Sequence, residues 1–77
     1  MNYRHILSKN LKNIRTEEKI SQEKLSYLAG LNRTYISDIE TGKKSPSLDT
    51  LEKISNALKI KVTELLSEKD LERWKTV

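Results

Sequence analysis

The sequence predicts an all-α protein, a compact bundle of five short helices in a single domain. Its 77 residues leave room for one hydrophobic core. Only two glycines and one proline interrupt the chain, and no segment keeps the alternation of apolar and polar residues that marks a strand. The apolar residues are nearly all Leu, Ile and Val, and they recur at spacings of three and four, as in helices that bury one face.

The first three helices are predicted from apolar spacing and from residues that start or stop a helix. Leu7, Leu11 and Ile14 share one face of a helix from about residue 4 to residue 18. Ser21 can cap a second helix, which carries an apolar set and ends where Gly30 can adopt a left-handed conformation. The apolar set is Leu25, Leu28 and Ala29.

Three further capping residues delimit the rest of the chain. Asn32 is predicted to cap a third helix that stops at Gly42. A polar loop containing Pro46 follows, and Ser47 is predicted to cap a fourth helix. Thr63 is predicted to cap a fifth, from Glu64 to about residue 75. The apolar residues of the third and fourth helices are Ile36, Ile39, Leu48, Leu51, Ile54 and Leu58.

Composition excludes several classes of function. There is no cysteine and one histidine, His5, so disulfides, zinc–thiolate sites and thiol catalysis are excluded and no metal site is expected. Without a glycine-rich phosphate loop or a clustered acid pair, we expect neither an enzyme nor a cofactor. No run approaches the roughly 20 apolar residues of a membrane span, and the N-terminus does not resemble a signal peptide. We therefore expect a cytoplasmic protein.

The distribution of charge suggests a polyanionic partner at one end of the molecule. The net charge is +4, and residues 1–20 carry five Lys or Arg against two Glu, whereas residues 63–77 carry three against four acidic residues. If the partner is a nucleic acid, the C-terminal end should face away from it. RNA is less expected than DNA, because RNA-binding surfaces usually display stacking aromatics and here only Tyr35 is available.

Residues 21–42 place two short helices around a turn of about three residues. Leu25, Ile36 and Ile39 are expected to form the buried wedge between these helices, and Ser26 supplies a small side chain where they cross. The third helix then turns a polar face outward, and an exposed helix fits the DNA major groove, which is about 12 Å wide. That face carries Arg33, Thr34, Ser37 and Asp38.

This segment resembles the phage repressor and Cro family of helix-turn-helix proteins. The similarity extends to Leu11, Ile14 and Arg15 before it and to SPSLDTLEKISNALKI after it, and so covers roughly residues 6 to 66. The stretch NRTYISDIETG and the one-domain length are most similar to controller proteins of restriction–modification systems. The resemblance implies a lambda repressor-like DNA-binding domain.

The resemblance also implies roles for residues of the third helix, which is the recognition helix of this family. Arg33, Thr34 and Ser37 match positions that contact bases; arginine can bind guanine O6 and N7, and a threonine methyl can meet a thymine methyl. Tyr35 lies beside them and can reach a sugar, a phosphate or the groove floor. Asp38 can accept a hydrogen bond from a cytosine amino group or repel wrong sequences.

Further residues are assigned to the DNA backbone and to the structure of the motif. Gln22 matches the family residue that grips a phosphate at the start of the second helix, and Lys43 and Lys44 are placed for phosphate contact. Arg15 and Glu40 match a family ion pair that joins the first and third helices.

The C-terminal helix is expected to mediate dimerisation. Leu65 and Leu66 continue the core and are also assigned to the dimer contact, together with residues further on that lie beyond the length of a four-helix unit and near one face. These later residues are Leu71, Trp74 and Val77. A two-fold contact through this helix would present two recognition helices to major grooves about 34 Å apart, matching a palindromic site.

The sequence thus predicts a homodimer that binds a palindromic operator in double-stranded DNA and regulates transcription, as a restriction–modification controller does. An antitoxin or phage-type repressor that acts partly through protein–protein contacts is the alternative. Glu23 matches the position that family activators turn toward RNA polymerase, so the resemblance also raises a contact with that enzyme.

Overall fold

A computed structural model describes residues 2–68, and five helices follow one another in this part of the chain. They are α1 (Tyr3–Glu17), α2 (Gln22–Ala29), α3 (Arg33–Glu40), α4 (Leu48–Leu58) and α5 (Val62–Leu65). Helix α3 packs against α1 and α2, while α5 packs against α1 and α4. The predicted all-α bundle is confirmed.

The first four helices begin at side-chain caps. The Asn2 amide oxygen accepts from the His5 N–H, and three of the four predicted caps are confirmed in the same way. The distances from cap oxygen to backbone nitrogen are 2.9 Å for Ser21, 2.7 Å for Asn32 and 3.2 Å for Ser47. Each cap satisfies an amide that would otherwise lack a partner in the first turn.

Helices α1 to α4 all end in the same reversal. A residue with positive φ lies at the end of each helix, and the next backbone N–H donates to a carbonyl five residues earlier, at 3.0, 2.8, 2.8 and 2.9 Å. This pattern is the Schellman motif. The positive-φ residues are Lys19 (59°), Gly30 (69°), Gly42 (79°) and Lys59 (58°), so two of the four reversals use the residue that adopts this conformation without strain.

The core is formed where all five helices meet. Its buried apolar residues are Leu7, Leu11, Leu25, Ile36, Ile39, Leu51, Ile54, Leu58 and Leu65. Ser26 is buried on the inner face of α2, and its hydroxyl donates to the Glu23 carbonyl at 2.7 Å. A serine is therefore accommodated there without an unpaired polar group.

Helix α3 stops at Gly42 as predicted, since Thr41 is its C-cap and Gly42 is the positive-φ residue that follows. Both predicted bounds of α5 are wrong: it ends at Leu65, with Leu66 as its C-cap, rather than at about residue 75. Thr63 does not cap α5, which begins at Val62 after Lys61. The carboxylate of Glu64 instead accepts from the Lys61 N–H at 2.7 Å, so an acidic side chain in the first turn satisfies the helix start.

Two leucines from the predicted apolar faces are exposed. Leu28 is 45% exposed, because Leu25, Ser26 and Ala29 form the buried face of α2 and Leu28 lies about 100° away from its centre. Leu48, the first residue of α4, is 66% exposed, so burial along that helix begins one turn later.

Candidate nucleic-acid interface

Helix α3 has one buried face and one open face. Ile36 and Ile39 are fully buried, whereas Arg33 and Thr34 are exposed and Ser37 is half-buried. The buried pair holds the helix against α1 and α2. The opposite face of α3 is accessible over the first two turns of the helix. An exposed helix of this kind can enter the major groove.

Four of the predicted DNA contacts surround one surface depression. Its volume is about 200 Å³, and Gln22, Arg33, Thr34 and Ser37 line it. Gln22 is the first residue of α2 and the other three belong to the first turns of α3. The helix-turn-helix geometry therefore brings the predicted backbone contact beside the predicted base contacts.

Tyr35, in the first turn of α3, lies beside Lys44 of the following loop. The Tyr35 ring is half-buried and packs against the core. The Lys44 Nζ lies 5.6 Å from the centre of that ring, within the range of a cation–π contact. Lys44 nevertheless keeps 59% of its side chain exposed, so its charge remains accessible to a phosphate.

Asp38 contacts two lysines of the loop that follows α3, through both its side chain and its backbone carbonyl. Its carboxylate lies 3.8 Å from the Lys44 Nζ, and its backbone carbonyl accepts from the N–H groups of Lys43 (2.8 Å) and Lys44 (3.3 Å). The loop therefore folds back onto the end of the recognition helix and places a cation beside the acid. This pairing reduces the repulsion that an isolated Asp38 would exert on DNA.

The predicted ion pair between Arg15 and Glu40 is formed. Arg15 Nε donates to Glu40 Oε2 at 2.6 Å, and Nη2 donates to Oε1 at 3.0 Å. The Arg15 Nη1 also donates to the Ile20 carbonyl at 2.8 Å. One guanidinium thus joins α1, the α1–α2 loop and α3, in the fork-to-fork geometry that makes such pairs specific.

Three polar contacts were not predicted from the sequence. Glu40 also accepts from Gln22 Nε2 at 3.1 Å. Arg4 Nε donates to Ser45 Oγ at 2.8 Å, joining α1 to the loop that carries Lys43 and Lys44. Asn10 is fully buried and donates from Nδ2 to two carbonyls at the end of α5, each at 2.9 Å. A polar residue between Leu7 and Leu11 was the available signal for the last contact.

The residues assigned to dimerisation divide into three groups. Leu65 is fully buried in the core of the chain and offers no surface to a second copy, so its predicted part in the dimer contact is wrong. Leu66 is half-buried. Leu71, Trp74 and Val77 lie outside the described residues.

The described helices contain neither a membrane span nor an apparent metal site. Between residues 2 and 68, no helix is long and apolar enough to cross a bilayer. Within the same stretch, no three side chains of the types His, Asp and Glu are grouped to hold a metal ion.

Comparison with known proteins relates the chain to transcription regulators. The helix-turn-helix family matches residues 11–65. Control protein C.BamHI of Bacillus amyloliquefaciens is 46% identical over 66 residues, which cover 84% of this chain and 82% of that protein. The immunity repressor of Bacillus phage phi105 is 40% identical over 65 residues, covering 84% of this chain and 45% of that protein. Among solved structures, the restriction–modification controller protein C.AhdI from Aeromonas hydrophila superposes with a TM-score of 0.79 at 35% identity, over 80% of this chain and 94% of that one.

Proposed function

The chain belongs to the helix-turn-helix family of DNA-binding transcription regulators. We propose that it controls a restriction–modification operon as a homodimer bound to a palindromic site. The observation that carries the proposal is the depression lined by Gln22, Arg33, Thr34 and Ser37. It combines a donor for the DNA backbone with three side chains that suit base edges, on a helix whose opposite face is anchored in the core.

Each side chain of the open face has a proposed task. Arg33 binds a guanine through O6 and N7, and Thr34 and Ser37 contact neighbouring bases. Gln22, Lys43 and Lys44 contact phosphates and set the position of the helix. The Tyr35 ring packs against Lys44 and reaches the sugar–phosphate chain. Asp38 discriminates against wrong sequences.

The similarity to two control proteins favours the restriction–modification assignment over other regulatory roles. A phage-type repressor is the second candidate, because the similarity to the phi105 immunity repressor also covers 84% of the chain. Both assignments use the same DNA-binding face and place the protein with the DNA in the cytoplasm. Glu23 is exposed in the first turn of α2, where it can contact RNA polymerase if the protein activates transcription.

The proposed dimer depends on the C-terminal segment from Leu66 onward. Sedimentation at micromolar concentration should show a dimer, and removal of residues 69–77 should weaken it while leaving the described helices folded. Leu65 is unsuitable for this test, because an aspartate there would disrupt the core.

Selection from a pool of random duplexes tests DNA recognition directly. The selected sequence should contain two inverted half-sites whose centres lie about 34 Å apart or a multiple of that distance. Gel shifts should then show a single complex, one dimer on each duplex, with no intermediate that contains one monomer. Recovery of no preferred sequence, or a monomer that occupies the full palindrome without cooperativity, would overturn the proposal.

A further inference from the structure

The carboxylate of Glu40 holds three hydrogen bonds from two side chains. Arg15 donates to both oxygens, and Gln22 Nε2 donates to Oε1. The Glu40 side chain is 3% exposed and that of Arg15 is 14% exposed. Glu40 is therefore largely out of reach of DNA, but it touches a residue that lines the proposed DNA-binding depression.

The chemistry of these groups determines how the Gln22 amide is turned. An ionised carboxylate only accepts hydrogen bonds, whereas an amide has one accepting and one donating end. Turning the amide over would place its oxygen against a carboxylate oxygen, which is repulsive. Glu40 therefore keeps the Gln22 nitrogen on its own side, and the second N–H and the amide oxygen remain for a ligand.

The negative charge of Glu40 does not oppose the approach of DNA, because Arg15 compensates it. The two nitrogen–oxygen contacts of 2.6 and 3.0 Å make the pair locally neutral. A carboxylate without this partner would orient Gln22 equally well but would repel a phosphate nearby. The three residues together orient a neutral donor.

We propose that Glu40 is a positioning residue for DNA binding: it holds the Gln22 amide in the orientation in which its free N–H meets a phosphate. The inference rests on the proposed function and adds a residue that does not itself touch DNA. A side chain held in place before binding loses less conformational freedom when it binds. The α1–α3 ion pair is thereby coupled to recognition as well as to folding.

A double-mutant cycle between Gln22→Ala and Glu40→Gln tests this coupling. A glutamine at position 40 cannot accept at both ends of its side chain, because one end of its amide is a donor. With its oxygen toward Gln22 a donor would face Arg15 Nε, and with its oxygen toward Arg15 Nε, the shorter contact in the wild type, a donor would face Gln22 Nε2. Each single substitution should weaken binding to the selected duplex about tenfold, and Glu40→Gln should change it less than about twofold when Gln22 is already alanine. Additive losses would overturn the positioning role and leave the proposed function intact.

Two controls separate positioning from stability. Urea unfolding establishes the folded fraction of every variant, and Ile54→Val destabilises the core without touching the network. Phosphate ethylation interference should lose the same phosphate with Gln22→Ala and with Glu40→Gln, and lose none with Ile54→Val. Loss at different phosphates would overturn the proposal.

If Glu40→Gln folds poorly, a second variant and a measurement on the free wild-type protein still test the proposal. Glu40→Asp keeps a negative charge that the long Arg15 side chain can follow, but it shortens the side chain by one methylene and so withdraws the carboxylate from Gln22, and it should show the same dependence on Gln22. In the free wild-type protein, NMR should show that the Gln22 side-chain amide proton facing Glu40 exchanges with water more slowly than the other proton of the same amide. Equal exchange of the two protons would overturn the orientation by Glu40, whereas a wild-type protein that prefers no duplex would overturn the proposed function itself.

Discussion

Arg15 and Glu40 stand 25 residues apart in the chain and are joined by two hydrogen bonds, with the carboxylate almost completely buried. The pair connects the helix that precedes the helix-turn-helix unit to the recognition helix inside it. Because burial of a charge is tolerated only when that charge is paired, the contact makes the orientation of α3 depend on α1.

Arg15→Ala should therefore destabilise the protein strongly, by about 3–5 kcal/mol, because it leaves the Glu40 carboxylate buried without its charged partner. A domain of this size has a total stability of only about 3–5 kcal/mol, so the variant should be largely unfolded at 25 °C. Circular dichroism during urea titration measures the change. The matched control, Arg15→Met with Glu40→Leu, removes both charges and should recover most of the stability; equal losses in both proteins would contradict the argument.

Gly30→Ala should destabilise the protein by about 1 kcal/mol, because φ at this position is +69° and an L residue is strained there. An added Cβ meets no atom within 4 Å, so the loss comes from the backbone conformation and not from a clash. Gly30→Asn is the control and should lose less, since asparagine tolerates the left-handed region. Equal losses for the two variants in urea would argue against this cause.

Lys59→Gly should have the opposite effect and stabilise the protein by about 0.5–1 kcal/mol. Lys59 ends α4 at φ +58°, in the same hydrogen-bonded reversal that Gly30 makes after α2. Relief of the left-handed strain should exceed the extra freedom that glycine brings to the unfolded chain. The midpoint of thermal unfolding should rise, and an unchanged or lower midpoint would show that the strain is small.

DNA binding should weaken steeply with salt, with a slope of about −0.9 in log affinity against log salt for each phosphate neutralised. Lys43 is exposed in the loop after α3, so Lys43→Ala should reduce the slope by about two for a dimer. Lys61→Ala is the control, because Lys61 lies before α5 and outside the proposed interface. Fluorescence anisotropy at several salt concentrations gives the slopes, and identical slopes for all three proteins would remove Lys43 from the interface.

Arg33→Ala and Lys44→Ala should change DNA binding in different ways: the first should reduce sequence discrimination, and the second should reduce affinity for every sequence. Loss of the Arg33 guanidinium should reduce discrimination at one base pair of each half-site by roughly 1–3 kcal/mol. Loss of Lys44 should weaken binding to every duplex, both by removing a cation and by leaving Asp38 without its partner. Affinities for the selected duplex and for a scrambled one separate the two effects, and equal discrimination in the two variants would show that the roles are misassigned.

Features that arise within a few residues of chain could be predicted from the amino-acid sequence. Ser21, Asn32 and Ser47 cap helices because a short polar side chain reaches amides two or three residues on. Gly30 ends α2 because its backbone tolerates a positive φ. A wrong prediction was also local: Thr63 is a residue type that often caps helices, yet the Glu64 carboxylate accepts the hydrogen bond at the start of α5.

Contacts between distant parts of the chain depend on how the helices pack and could not be predicted in this way. Glu40 accepts from Gln22 as well as from Arg15, and Arg4 reaches Ser45 across 41 positions, because the packing of the helices brings these groups within hydrogen-bond distance. Packing also buries Leu65 completely in the core. Apolar spacing identifies which residues of a helix share a face, but it does not specify what covers that face, since hydrophobic attraction has no direction.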